Sequence, residues 1–226
     1  MQYISVGVDK FTRSTTPPAP YMRKAFDLKF KPSSALIRIT TNGFYRLFIN
    51  GKEITKCELA PYISNSDQLC YYDEYEISAL LREGKNAIGF ILGNGHANPF
   101  WHALGLQNSY KVGTPVKGAV ELTASNGAET FSLESDASFK THPSPMFYDV
   151  YRYGVHYDAR MEIEGWNLPE FDDSSWANVM EVEAPAGKLE YGEDHRCCAE
   201  RELSEETGFT ADELTYMGAS CASPGF

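Results

Sequence analysis

Short stretches of alternating hydrophobic and polar residues dominate most of the chain, and they predict strands. In ALIRITT (Ala35–Thr41), Leu36 and Arg38 fall on one face and Ile37 and Ile39 on the other, the two-residue period of a strand with unlike sides. RKAFDLKF (Arg23–Phe30) alternates in the same way and reads as an edge strand. FYRLFIN (Phe44–Asn50) is a further strand that runs into Asn50-Gly51, a pair suited to a tight hairpin turn needing positive φ at both positions, and KEI (Lys52–Ile54) resumes the strand. YYDEYEI (Tyr71–Ile77) reads as a strand, and Ser78–Asn86 as a turn or a single helical turn. AIGFIL (Ala87–Leu92) is apolar throughout, as expected of a strand buried on both faces. Gly93–Gly105 reads as a loop, and AVELTA (Ala119–Ala124), Asn126-Gly127 and ETFSLE (Glu129–Glu134) as a second hairpin. Residues 1–34 are loop-rich, broken by Pro17, Pro18, Pro20 and Pro32. Together these predict a mainly β fold, an antiparallel jelly-roll-like sandwich.

From Asp194 the pattern changes. DHRCCAERELSEETG has helix formers, no proline, and Gly208 placed to end a helix; Leu214–Ala219 then reads as a short strand. Charge shifts at nearly the same place. Residues 187–226 carry three basic and nine acidic side chains, against seventeen and twenty-two in the rest of the chain. The net charge of −11 argues against nucleic acid as a partner. A boundary near Gly187 divides the chain into a sandwich, 1–186, and a C-terminal segment, 187–226. No apolar run is long enough to span a bilayer, and MQYISVGVDKFTR lacks a signal core, so a cytoplasmic protein with no membrane partner is expected. The five cysteines (Cys57, Cys70, Cys197, Cys198, Cys221) form no spaced framework and no CxxC, which suits free thiols and not a zinc ribbon.

Several segments, taken in order, resemble the N-terminal β-sandwich domain of bacterial α-L-rhamnosidases. They are APYMRKAFDL (Ala19–Leu28), NGFYRLFINGKEI (Asn42–Ile54), LAPYISN (Leu59–Asn65), Tyr71–Gly95, and HYDARMEIEGWNLPEFDDSSWANVMEVEAPAGKL (His156–Leu189). The resemblance covers about residues 1–189. It implies a non-catalytic accessory domain that helps position carbohydrate, with no cofactor of its own. The acid and base of glycoside hydrolysis lie, in such enzymes, in a separate helical barrel. Rhamnoside or oligosaccharide is the implied partner. A sugar site needs an aromatic platform beside hydrogen-bonding groups, and the loop His96–Gly105 offers Asn98, Trp101 and His102. Trp101 equally suits a half-buried packing role. Asp158 and Arg160 would either grip a sugar or pair with each other to hold a loop. The sequence departs from its relatives at His96, where Trp is common, and at Val155, where Glu is common. In FDDSSW (Phe171–Trp176) the aspartates suit a turn, with Trp176 closing the sandwich edge.

GKLEYGEDHRCCAERELSEETGF (Gly187–Phe209) is similar, position by position, to the Nudix box of ADP-ribose pyrophosphatases. Glu202, Glu205 and Glu206 fall at i, i+3 and i+4 of the predicted helix, so their carboxylates share one face. Such hard oxygen ligands suit Mg²⁺ or Mn²⁺, and in the family these positions bind the metal. The residues before the box belong to the sandwich, and one strand follows it, so an incomplete Nudix fold is expected. The leading reading is therefore a carbohydrate-recognition sandwich with a truncated Nudix tail, inactive alone. The alternatives are a Mg²⁺-dependent hydrolase of ADP-ribose-like diphosphates and a chimeric gene product without activity.

Overall fold

A computed structural model describes residues 1–7, 17–57, 59–98, 113–150, 154–192, 200, 203–204, 207–211 and 215. Among them the strands are, in chain order, β1 (Tyr3–Ser5), β2 (Tyr21–Leu28), β3 (Ser34–Thr41), β4 (Phe44–Ile49), β5 (Lys52–Glu53), β6 (Leu69–Glu76), β7 (Gly84–Gly93), β8 (Gly118–Ser125), β9 (Thr130–Glu134), β10 (Lys140–His142), β11 (Met146–Val150), β12 (Gly154–Tyr157), β13 (Ala177–Asn178), β14 (Met180–Val182) and β15 (Lys188–Tyr191). One sheet runs β14-β1-β8-β3-β6-β15, with β9 beside β8; a second runs β13-β10-β2-β7-β4-β5; β11 and β12 pair alone. All pairings are antiparallel except β15 with β6.

The alternation in the sequence becomes the core. Ile37 and Ile39 of β3, with Val120 and Leu122 of β8, face Met22, Leu47, Ile49, Ile88, Phe90 and Leu92 of the other sheet. Full burial of such a side chain contributes ~1.5–3 kcal/mol. In β7 every residue from Asn86 to Leu92 is buried, as the unbroken apolar run requires. The β4–β5 turn has Asn50 at φ 50° and Gly51 at φ 86°. Its Asn50 side chain fixes the neighbouring strand by accepting from the Ala87 N–H (2.8 Å) and donating to Asn86 Oδ1 (2.9 Å).

The structure departs from the sequence expectation at β2. β2 is not an edge strand: Lys140–His142, a three-residue strand too short to signal itself, pairs along its other side. Trp176 stands immediately before β13, the outermost strand of the six-stranded sheet, and packs against His142 of β10. It is buried 6.1 Å from Tyr21, on the side of β2 away from the core, as the last residue of the 158–176 segment that straps that face. The helix expected from Asp194 falls largely outside the described residues. Of those described, Glu200, Leu203, Ser204 and Thr207 have helical backbone, and the Gly208 N–H donates to Ser204 O (2.9 Å), but no continuous helix is delimited. The strand expected at Leu214–Ala219 lies outside the described residues apart from Thr215, which is in no strand. Among the described residues no helix is long and apolar enough to cross a membrane.

Candidate functional site

At the end of β7 the chain leaves the sheet through Asn94, which is fully buried. Its Nδ2 donates to Pro17 O and Asp149 O (both 3.0 Å), and its Oδ1 accepts from Asn98 Nδ2 (2.8 Å). The Asp149 carboxylate accepts the Asn94 N–H (2.5 Å), and burial pushes its pKa up, against that hydrogen bond. Asn98 completes the network: Nδ2 also donates to Thr114 O (3.1 Å), and Oδ1 accepts from the Gly113 N–H (2.6 Å). Asn98 thus bonds Gly113 and Thr114 as well as Asn94, and its amide is fully engaged.

Next to this knot, and sharing Thr114 with it, is a cleft of about 670 Å³ at the end of the seven-stranded sheet. His96 and Ala97 line it from the loop, Asn42 and Lys117 from the sheet end, and the segments 64–67 and 182–186 from opposite sides. Lys117 Nζ donates to Glu183 O (2.7 Å), which ties the 182–186 segment down; burial lowers the lysine pKa, with Glu183 acting against it. Asn42 Oδ1 accepts the Lys117 N–H (3.0 Å), and Ser64 Oγ donates to Leu69 O (2.8 Å), so the polar side chains are held in place. Small hydroxyls, amides, an ammonium and the carboxylates of Asp67 and Glu183 give the cleft both hydrogen-bond donors and acceptors. Among the described residues no group of three His, Cys, Asp or Glu side chains is placed to hold a metal ion.

Asp158 and Arg160 sit apart from the cleft lining, in the short turn after β12. They form a two-pronged ion pair, Nε to Oδ1 at 2.8 Å and NH2 to Oδ2 at 2.6 Å, and Asp158 also caps the turn by accepting the Arg160 N–H (3.0 Å). The guanidinium holds the Asp158 carboxyl below the usual range. Trp101 and His102, and the metal candidates Glu202, Glu205 and Glu206, lie outside the described residues. Sequence reasoning did not single out Asn42, Asn94, Lys117 or Asp149. Asn42 and Lys117 meet across 75 positions, a pairing that only the β3–β8 register creates.

The model of the alpha-L-rhamnosidase N-terminal domain family matches residues 30–197. An alpha-L-rhamnosidase from Formosa agariphila is 33% identical over 168 residues, 73% of this chain and 18% of that protein. The structure of the alpha-L-rhamnosidase from Dictyoglumus thermophilum superposes with a TM-score of 0.72 at 32% identity, over 86% of this chain and 22% of that one. The chain therefore spans about a fifth of the length of these relatives. An ADP-ribose pyrophosphatase from Bacillus subtilis is 60% identical over 45 residues, 20% of this chain and 24% of that protein.

Proposed function

Because the chain belongs to the alpha-L-rhamnosidase N-terminal domain family, we propose that it is a non-catalytic module that holds carbohydrate for a rhamnosidase-like protein. The observation that carries this reading is the polar cleft between Asn42, Lys117 and the 64–67 and 182–186 segments. Its groups are pre-positioned by their own hydrogen bonds, so binding does not have to order them. The test is a titration of the isotopically labelled chain with methyl α-L-rhamnopyranoside, followed by backbone amide NMR. The expected result is shifts at Asn42, Ser66 and Lys117 that saturate at millimolar sugar. Shifts that never saturate, or that scatter over the surface, would overturn the reading.

A second reading has its own observation, the 45-residue likeness to the ADP-ribose pyrophosphatase. On it the tail acts on a diphosphate with Mg²⁺ or Mn²⁺ held by Glu202, Glu205 and Glu206.

A further inference from the structure

The outer face of the seven-stranded sheet is built by register. On the side away from the core, β3 places Leu36, Arg38 and Thr40 opposite Glu76, Glu74 and Tyr72 of β6, with Thr123 and Glu121 of β8 across from Leu36 and Arg38. β15 adds Tyr191 beside Tyr72. Ser5, buried and donating to Val116 O (3.0 Å), borders the cleft from this same side, since its neighbour Ile4 points into the core. A second hollow, about 380 Å³, lies further along and is lined by Leu36, Arg38, Glu76, Glu121 and Thr123.

Between the two hollows runs a strip of aromatic rings flanked by cations. The Tyr72 and Tyr191 centroids are 5.5 Å apart. The Arg38 guanidinium lies 5.7 Å from the Tyr72 centroid, and Lys56 Nζ lies 5.6 Å from that of Tyr191. Arg38 belongs to both the strip and the second hollow, and Glu74 Oε2 fixes it by accepting from Nε (2.8 Å). Tyr191 is 50% exposed, so its ring is open to solvent. The distances along the strands join the parts. The cleft ends at Asp67, two residues before β6. From Leu69 to Tyr72 is about 10 Å, and from Tyr72 to Glu76 about 13 Å, at ~3.3 Å per residue.

We infer that the cleft, the tyrosine strip and the second hollow are one groove for a neutral oligosaccharide lying extended across the sheet. The inference rests on the carbohydrate reading above and deepens it by naming the ligand's length and charge. A track of this length exceeds a single sugar ring. Its charges interleave, Arg38, Lys56 and Lys117 among Asp67, Glu74, Glu76, Glu121 and Glu183, which suits hydroxyls that both donate and accept and disfavours a polyanion. The exposed phenol ring offers an apolar face to the C–H groups of a pyranose.

Calorimetric titration of the whole chain with methyl α-L-rhamnopyranoside and with α-linked L-rhamnotriose tests this. The trisaccharide is expected to bind at least about tenfold more tightly, equivalent to ~1.4 kcal/mol. Tyr191→Ala should cut that advantage below about threefold, and Tyr191→Phe, which keeps the ring, should retain it. Arg38→Gln provides a second, independent variant, also expected to reduce the advantage, and urea midpoints establish that each variant is folded. Equal affinity for the two sugars, or an advantage that survives Tyr191→Ala, overturns the groove and leaves the carbohydrate reading standing. Binding of neither sugar overturns both.

Discussion

Arg23 gives the sharpest stability prediction. It rises from the middle of β2 under the 158–176 strap, with no solvent exposure of its side chain. Its guanidinium pairs with Asp173, donates to Leu168 O (2.9 Å), and lies 5.2 Å from the Phe171 ring centroid. Among the described residues Nε has no hydrogen-bond partner, so the cation is only partly compensated. Burial pulls its pKa down, but a guanidinium stays charged. Asp173→Asn therefore strands a buried positive charge. Breaking a buried pair in this way costs ~3–5 kcal/mol. The Asp173 side chain is 25% exposed, so water supplies part of the lost interaction and the lower end, about 3 kcal/mol, applies. For a chain of this size that lowers Tm by about 6–12 °C. Arg23→Met instead removes the charge and keeps most of the volume. It should cost about 1 kcal/mol or less, because Asp173 can then turn to solvent. The assay is urea unfolding followed by tryptophan fluorescence, since Trp166 and Trp176 sit in the strap. The reasoning is refuted if Arg23→Met is as harmful as Asp173→Asn, or if Asp173→Asn costs under about 1 kcal/mol.

Three further outcomes are expected. Gly187→Ala would place a Cβ 2.5 Å from Leu69 N and 2.7 Å from Ser66 O, backbone atoms that cannot swing aside. A loss of ~1–3 kcal/mol is expected, with faster hydrogen exchange at the Gly192 N–H that bonds Tyr72 O; unchanged exchange would contradict it. Burial raises the pKa of Tyr3, Tyr21 and Tyr75 to about 12 each. Because the folded values exceed the unfolded one of about 10, their contribution is whole below that pH and lost as pH rises toward 12. Urea midpoints should accordingly hold up to about pH 10 and then fall, and a flat profile through that range would speak against it. Finally, the first residues of the Nudix-like segment are committed to a strand on β6. We therefore expect no Mg²⁺-dependent release of AMP from ADP-ribose above that of Glu205→Gln. Turnover that this substitution abolishes would establish the second reading instead.

Much of the sandwich was legible because its long strands carry their own signal. β3 alternates, β7 is apolar throughout, and Asn50-Gly51 marks its turn without help from elsewhere. The strands that escaped notice take their conformation from partners: β1, β10, β13 and β14 have two or three residues each, too few for a period to show, and β11, β12 and β15 have four or five. Arg23 was misleading for a related reason. A charged residue in an alternating stretch suggests solvent, and its burial depends on a strap about 150 positions later in the chain. The cleft was least legible. Its polar residues have ordinary local contexts, and only the register of β3, β6 and β8 gathers them.

The 182–186 segment has a mechanical side as well. Val182 sits on β14 at one margin of the seven-stranded sheet and Lys188 on β15 at the other, five inter-strand gaps apart. Laid flat, those gaps would measure about 24 Å at ~4.8 Å each. Six Cα steps reach at most about 22 Å even when fully stretched. The sheet must therefore bow until its margins come within range, and the segment acts as a bowstring that caps their separation. Shortening it by one residue would pull β15 off its neighbour or bend the sheet further. Lengthening it would let the bow relax and the cleft widen.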